Sequence, residues 1–245
     1  MREKRIIPMK YDMMFKSVLL NDKARGYLIE LIHLITGIKK EYLKNFTFKN
    51  TEYKKYGISE RKKESDIVIE IKNNTICLEM NKDYRPGLYD RNFSYLSKIR
   101  ESDISRSGYK DSKYSILINF DNFNKYNDDR SIIHFKMLDD EKLIEEGVKY
   151  SSYHIILPNI NKKYYNKDEL NSLEKLIEIM NLNTIEEIKD YKEYNTKIEK
   201  VADLIMELSR DEELQGWYDK EKEREMLEEG LREEIREKAT KEGIC

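Results

Sequence analysis

The chain has 245 residues, of which 38% are charged and three are proline, and its formal net charge at pH 7 is −2. This length suits one domain of ordinary size with an extension, and the scarcity of proline favours helices and strands with charged surfaces over disorder. The two cysteines, Cys77 and Cys245, indicate no disulfide framework, and no apolar run is long enough to span a bilayer. These features exclude a disulfide scaffold and a membrane partner, and they favour a cytoplasmic protein.

The charge is distributed unevenly along the chain. Residues 1–130 contain 27 Lys and Arg against 19 Asp and Glu, which gives a net charge of +8. Residues 131–245 contain 19 Lys and Arg against 29 Asp and Glu, which gives −10. A polyanion such as DNA is attracted to the first half and repelled by the second. The asymmetry therefore favours DNA as a partner of the first half.

Two helices are predicted near the N-terminus, followed by a strand. Apolar residues recur at spacings of three and four over residues 12–20 and 25–36, and Gly37 would end the second helix. Residues 46–56, FTFKNTEYKKY, alternate in the manner of a strand. We expect this strand to pair with the segment that follows it.

That segment, SDIVIEIKNNTICLEMN, predicts a β-hairpin. Two β-rich runs, residues 65–72 and 75–81, flank the pair Asn73-Asn74. Asparagine tolerates the positive φ that a two-residue hairpin turn requires, so we place the turn at this pair. Because side chains alternate along a strand, six Ile, Leu and Met residues then share one face of the hairpin.

The other face of the predicted hairpin is polar. With the turn at Asn73-Asn74, opposed residue numbers add up to 147, so Asp66 faces Asn81 and lies diagonal to Glu79. Like charges so placed repel unless a cation compensates them, and Mg²⁺ prefers a few carboxylates with water. The pattern predicts a magnesium site, and the alternative is a solvated face with ordinary surface charges.

The rest of the chain predicts strands and then helices. Residues 84–106 form a basic, aromatic segment that suggests a helix after Pro86-Gly87. Strands are predicted at residues 114–120, 131–137 and 153–157, and apolar residues at helical spacing follow after Asn166. From residue 214 to residue 240 a highly charged helix carries a narrow seam of Leu227, Leu231 and Ile235.

This order of elements predicts an α/β domain over residues 1–160 and a charged helical extension over residues 161–245. Three arrangements of the last helix remain open: it packs on its own domain, it pairs with a second chain in a homodimer, or it frays. Its seam has too few heptads to indicate a true coiled coil.

Common catalytic signatures are missing from the sequence. His33, His134 and His154 have no partner at metal-ligand spacing, and no Cys-x-x-Cys occurs, so zinc is not indicated. The sequence also lacks a Gly-x-Ser-x-Gly motif, a phosphate-binding Walker loop and a dinucleotide fingerprint. The carboxylates of the hairpin are therefore the main candidates for chemistry.

The hairpin acids have the order of a known motif. Asp66, followed thirteen positions later by Glu79-Met80-Asn81, resembles the PD-(D/E)-x-K nuclease motif. More specifically, the chain resembles the PD-(D/E)-x-K family of transposases related to recombination-promoting nucleases, whose last element commonly reads Glu-x-Gln. Four further segments are similar to that family: YDMMFKSVL, RNFSYLSKI, SGYKDSKYSILINF and IMELSRDEELQGWYDKEKEREMLEEG.

The resemblance implies a restriction-endonuclease-like core, in which helices flank a mixed central sheet. It also implies a Mg²⁺-dependent DNA endonuclease that acts in recombination or transposition. In this mechanism Asp66 and Glu79 hold the ion, and Asn81 positions the attacking water. The residues expected to contact DNA are Lys62, Arg91 and Tyr95, with Arg85, Arg100 and Tyr89 as further candidates. Glu30 or Glu52 is expected as a further acid that serves as a distal metal partner.

Two positions depart from the motif. Ser65 replaces the proline of the superfamily name, which has little chemical weight, and Asn81 replaces the lysine or glutamine. A lysine can help to deprotonate the water, whereas an amide can only orient it. Two alternatives therefore stay open: a nuclease fold with weak or lost catalysis that serves as a DNA-binding or interaction module, and an unrelated two-carboxylate hydrolase, for example one acting on glycosides.

Overall fold

The structure is a computed structural model, and it describes residues 6–49, 66–195 and 198–241. The helices are α1 (Asp12–Leu19), α2 (Arg25–Thr36), α3 (Lys40–Leu43), α4 (Leu88–Asp111), α5 (Leu157–Tyr165), α6 (Ser172–Ile177), α7 (Ile185–Tyr194), α8 (Glu199–Leu208) and α9 (Glu212–Lys241). The strands are β1 (Thr47–Phe48), β2 (Ile67–Ile71), β3 (Asn74–Asn81), β4 (Tyr114–Asp121), β5 (Ile132–Phe135) and β6 (Tyr150–Ile156).

The strands form one mixed sheet in the order β1-β2-β3-β4-β6-β5. Antiparallel pairs join β1 to β2, β2 to β3, and β5 to β6, whereas β3, β4 and β6 run parallel to one another. Helices flank this sheet, and α9 follows at the C-terminal end. The predicted α/β fold, a mixed central sheet with helices on its sides and a helical C-terminal part, is confirmed.

The hairpin forms, but the prediction of its turn was wrong. Its two turn residues are Lys72 and Asn73, and Asn74 already belongs to β3. The parallel neighbour β4 pairs with β3 from Asn74 onward, and the Tyr114 N–H donates to the Asn73 carbonyl oxygen at 2.9 Å. The described non-glycine residues with positive φ all lie outside this turn. The turn therefore does not use the positive φ on which its prediction at Asn73-Asn74 was based.

The register of the hairpin shifts with the turn. Val68 pairs with Cys77, so opposed residue numbers add up to 145, not 147. Continued by one pair, this register places Asp66 level with Glu79 and no longer with Asn81. A change of two leaves every side chain on its predicted face, because the side-chain period of a strand is two.

The predicted strand over residues 46–56 is described only in part. β1 covers Thr47–Phe48 and pairs antiparallel with β2, as predicted. Residues 50–65 lie outside the described residues. The predicted DNA contact Lys62 and the candidate acid Glu52 belong to that segment, so the structure does not place them.

One large apolar core lies against the face of the sheet that carries the alternating isoleucines of the hairpin. Helices from both ends of the chain close it, including α1, α2, α6 and α8. The hairpin contributes buried Ile67, Ile69, Ile71, Ile76 and Leu78. Each such side chain contributes about 1.5–3 kcal/mol when fully buried. The predicted division at residue 160 falls within α5, and it stays a prediction.

Helix α4 covers the opposite face of the sheet. It begins after Gly87, whose φ of 77° lies in the left-handed region that favours glycine, and it extends to Asp111 with a break at Gly108, where φ is 77° and ψ is 168°. Between α4 and the sheet lies a second, small apolar cluster: Val68, Cys77, Leu96, Ile99 and Leu117. The remainder of this interface is polar and forms the candidate site.

Helix α9 packs on its own chain through its first turns. Tyr218 is buried there, and Trp217 packs partly against the large core. The predicted seam is exposed farther along, where Leu227, Leu231 and Ile235 keep 75%, 58% and 58% of their surface in solvent. Across the described ranges, no helix has the length and apolarity needed to cross a membrane.

Candidate functional site

The polar part of the α4 interface lies at the carboxyl ends of the three parallel strands. Glu79 and Asn81 come from β3, Asn119 and Asp121 from β4, and His154 from β6. All five are buried. The register places Glu79 beside Asn119, Asn81 beside Asp121, and Asn119 beside His154. Since alternate residues of a strand share a face, three adjacent strands present these groups to α4 together.

Asp66 lies directly before β2 at the edge of this polar region. One carboxylate oxygen accepts the Met80 N–H at 2.7 Å, and the other lies 3.2 Å from Nζ of Lys16 on α1. Lys16 also pairs with Asp12 at 3.0 Å. Burial, followed by the negative charge of Asp12, raises the pKa of Asp66, and Lys16 opposes that shift. Helix α1 thus supplies a cation and a second acid to Asp66.

Glu79 is 1% exposed and shares its surroundings with Asp66 and Tyr95. Burial raises the pKa of the Tyr95 phenol, Arg91 lowers it, and the carboxylates of Glu79 and Asp66 both raise it further. Both acids therefore act on one phenol. Asp66 accepts the N–H of Met80, the residue next to Glu79, and the β2–β3 register continued by one pair places Asp66 level with Glu79. The metal-binding and catalytic roles of both residues stay predictions.

The amide of Asn81 is bound within the polar network. Its Nδ2 donates to Asp121 Oδ1 at 2.8 Å and to Asn119 Oδ1 at 3.2 Å, and its Oδ1 accepts from Asn92 Nδ2 at 3.1 Å. Both amide hydrogens are thus used, which leaves only one lone pair of the oxygen for a further contact. The predicted role of Asn81 in orienting water can therefore rest only on that oxygen.

Asp121 is the centre of the same network. Besides Asn81, it receives the hydroxyl of Tyr89 at 3.0 Å, and its Oδ2 lies 2.8 Å from Nδ1 of His154. The other ring nitrogen of His154 lies 3.4 Å from Asn119 Nδ2. His154 thus has a buried carboxylate partner that its sequence spacing did not indicate. Buried polar groups that satisfy one another in this way fix the strands and α4 in one arrangement.

Two of the predicted DNA contacts lie together on α4. Arg91 is exposed, its Nε donates to Asn92 Oδ1 at 3.1 Å, and its guanidinium carbon lies 5.7 Å from the centre of the Tyr95 ring. This distance is within the range of a cation–π contact. An exposed arginine whose Nε is already hydrogen-bonded can present the rest of its guanidinium group to a phosphate. That role stays a prediction.

The other candidates have different surroundings. Arg85 is exposed and pairs with Glu228 of α9 at 3.3 Å. Arg100 donates to the Lys149 carbonyl oxygen at 2.9 Å, and Tyr89 donates to Asp121. Glu30 forms an ion pair with Lys40. These partners favour structural roles for Arg100, Tyr89 and Glu30.

The oxygen ligands of the site fit a hard cation. Asp66 and Glu79 act on one phenol, and Asp12 adds negative charge at Asp66. A divalent ion relieves such repulsion between neighbouring carboxylates. In the parts of the chain that the structure describes, no group of three or more His, Cys, Asp or Glu could hold a metal ion. Two carboxylates with water as further ligands are a donor set that a divalent cation accepts.

Comparison with known proteins gives one match. A family model described as PD-(D/E)XK nuclease family transposase matches residues 9–230, which include the hairpin, α4 and most of α9. No curated protein shows significant similarity to the chain. No solved structure does either.

Proposed function

The chain belongs to the PD-(D/E)XK nuclease family of transposases, and we propose that it is a Mg²⁺-dependent DNA endonuclease that acts in recombination or transposition. The observation that carries this proposal is the pair of acids: Glu79 is buried in β3, and Asp66, directly before β2, accepts at 2.7 Å the N–H of Met80, the residue next to Glu79. Hairpin carboxylates in this arrangement are the ligands expected in such a nuclease.

Asp66 and Glu79 are the residues that would hold the ion. When bound, a divalent ion polarises the scissile phosphate and lowers the pKa of a water that attacks it. The Met80 N–H and Lys16 fix the Asp66 carboxylate at 2.7 Å and 3.2 Å, so it cannot turn away from the site. Glu79 is buried, and the low local dielectric strengthens its attraction to a cation.

The polar network gives the site its rigidity. Through Asn81, Asn119 and Asp121 it joins β3 to β4, and Asn92 joins both strands to α4. A catalytic arrangement needs supporting contacts of this kind to hold its geometry within a fraction of an ångström. We infer that Asn81 serves the site mainly as part of this framework, and that its free lone pair orients water.

DNA binding would use the exposed cations around α4. Arg91, supported by Tyr95 and Asn92, is a candidate to contact the backbone, and Lys62, which lies outside the described residues, is another. Contacts with phosphates give affinity without sequence selectivity and weaken as salt rises, because they release bound counterions. This agrees with the net charge of +8 over residues 1–130.

A second candidate function is supported by Asn81 itself. Its side chain is a neutral amide, so it cannot supply the positive charge that a lysine would bring to this position, and both of its amide hydrogens are already bound in the network. A nuclease fold without efficient catalysis that binds DNA or another protein is the function that this observation favours.

Relaxation of supercoiled plasmid separates the two functions. We expect the native chain with Mg²⁺ to nick the plasmid, and Asp66→Asn and Glu79→Gln each to lower the rate about a hundredfold or more, because electrostatic stabilisation of the reacting phosphate is lost. Glu70→Gln is the matched control, since Glu70 is a hairpin carboxylate that pairs with Lys49 and Lys113. It should cleave at the native rate.

Equal trace activity in the native chain, Asp66→Asn and Glu79→Gln would contradict the endonuclease proposal. The nuclease-fold binding module would then be the better account of this chain. Addition of EDTA to the native reaction gives the corresponding check on the metal, and we expect it to stop the nicking.

A further inference from the structure

A second polar cleft lies next to the candidate site, between the start of α1, the end of β3 and α9. It has a volume of about 270 Å³, and its lining includes Asp12, Met80 and Lys82. Met80 donates its N–H to Asp66, and Lys82 follows two residues later, directly after the end of the same strand. The cleft therefore lies beside the predicted metal ligand Asp66.

Four basic side chains lie in or beside this cleft. Lys10, Lys82 and Arg224 line it, and Lys222 lies at its border. Nζ of Lys82 is 3.9 Å from the centre of the Tyr11 ring, and Nζ of Lys222 is 5.4 Å from it. Burial lowers the pKa of Lys82 to about 8, and the charges of Lys222 and Lys10 act in the same direction, against Asp83 and Glu221. Cations gathered in this way repel one another unless an anion lies among them.

The anion among them in this structure is a side chain of α9. The Glu225 carboxylate forms an ion pair with Lys82, accepts the Tyr11 hydroxyl at 3.2 Å and lies 3.4 Å from Nζ of Lys222. Three donors from three elements thus converge on one carboxylate. Two ammonium groups and a hydroxyl suit a phosphate as well as they suit a carboxylate. The remaining acids of the cleft are Asp12 and Glu221, and Arg224 pairs with Glu221.

We propose that this cleft is a subsite for a backbone phosphate of the nucleic acid, next to the scissile phosphate, and that Glu225, at its border, holds the phosphate-binding donors until the strand binds. The inference rests on the proposed function, because only a phosphodiester substrate at Asp66 and Glu79 would carry a second phosphate into the neighbouring cleft. Lys82, Lys222 and Tyr11 bind that phosphate. The substrate phosphate and the Glu225 carboxylate therefore compete for the same three donors.

The test measures binding of a labelled duplex oligonucleotide in EDTA, so that neither metal nor cleavage contributes. Glu225→Gln should tighten binding roughly threefold, and Lys82→Met and Lys222→Met should each weaken it by a similar factor. A change in affinity of this size corresponds to the free energy of one partly exposed ion pair. Each lysine variant should also reduce the slope of log affinity against log salt by about one.

Matched controls come from an ion pair outside the cleft. Lys192 of α7 and Asp203 of α8 lie 2.7 Å apart, and Asp203→Asn and Lys192→Met change the net charge as the test variants do. Affinity in these two controls should stay close to the native value. Thermal unfolding of every variant checks the fold, and Lys222, whose side chain is 45% exposed, can be replaced with little effect on packing.

Two results would overturn the subsite. One is an equal gain of affinity in Glu225→Gln and Asp203→Asn, which would make net charge the cause. The other is native affinity in both Lys82→Met and Lys222→Met. Failure of the proposed function has a different signature: the chain binds DNA in EDTA with the predicted ranking of variants, yet no plasmid is nicked when Mg²⁺ is added.

Discussion

The two faces of the β2–β3 hairpin follow the same alternation of residues but have different roles. One face carries Ile67, Ile69, Ile76 and Leu78 into the large core closed by α1, α2, α6 and α8. The other face carries Glu79 and Asn81, with Asp66 at its edge, into a polar interface with α4. The first face therefore provides stability, and the second holds the groups that we assign to chemistry.

The comparison shows how differently the two faces depend on their partners. An isoleucine in the core needs only apolar neighbours of the right volume. A buried carboxylate or amide needs specific partners, and an unsatisfied buried polar group costs about 1–3 kcal/mol. The polar face is thus more sensitive to the exact identity of residues on α1, α4, β4 and β6.

The largest effect on stability is expected on the apolar face. Leu78 is fully buried, so Leu78→Ala removes apolar contacts and leaves a cavity, and it should lower the free energy of unfolding by about 2–5 kcal/mol. Urea denaturation followed by circular dichroism measures this change. A loss below 1 kcal/mol would contradict the role of this face as the main source of stability.

A smaller effect is expected on the polar face. Asn92 donates to Asn81 at 3.1 Å and to Asn119 at 2.9 Å, so Asn92→Ala leaves two buried oxygens with fewer donors. The free energy of unfolding should fall by about 1–3 kcal/mol, while plasmid nicking should fall more steeply than stability because the site loses its support. Asn124→Ala, in an exposed loop, serves as the control. Full nicking activity in a stably folded Asn92→Ala protein would show that the network does not support the site.

The sequence predicts the apolar face better than the polar face. Alternation assigned every hairpin side chain to its face, but alternation is unchanged by a shift of two, so it did not fix the register. The pairing of β4 with β3 from Asn74 decides the register, and that contact joins segments separated by α4. The preference of asparagine for turns is weaker than the hydrogen-bonded pairing of β4 with β3, so it did not predict the position of the turn.

The partners of the site were the least predictable part. Lys16 reaches Asp66 from a helix 50 positions earlier in the chain, and sequence spacing does not reveal such a contact. Its segment YDMMFKSVL resembled the family, and that resemblance was the available signal for a role. Asn119 and Asp121 interrupt an apolar strand at alternate positions, which indicates a polar face, but His154 meets them only because β6 lies beside β4.

The most direct test of the account is calorimetric titration of the native chain with Mg²⁺ in the absence of DNA. We expect one ion to bind per chain, binding to be lost in both Asp66→Asn and Glu79→Gln, and binding to be retained in Glu70→Gln, because the two carboxylates at Tyr95 together provide the protein ligands. Unchanged binding of Mg²⁺ in Asp66→Asn and Glu79→Gln would contradict the assignment of these residues as the metal site.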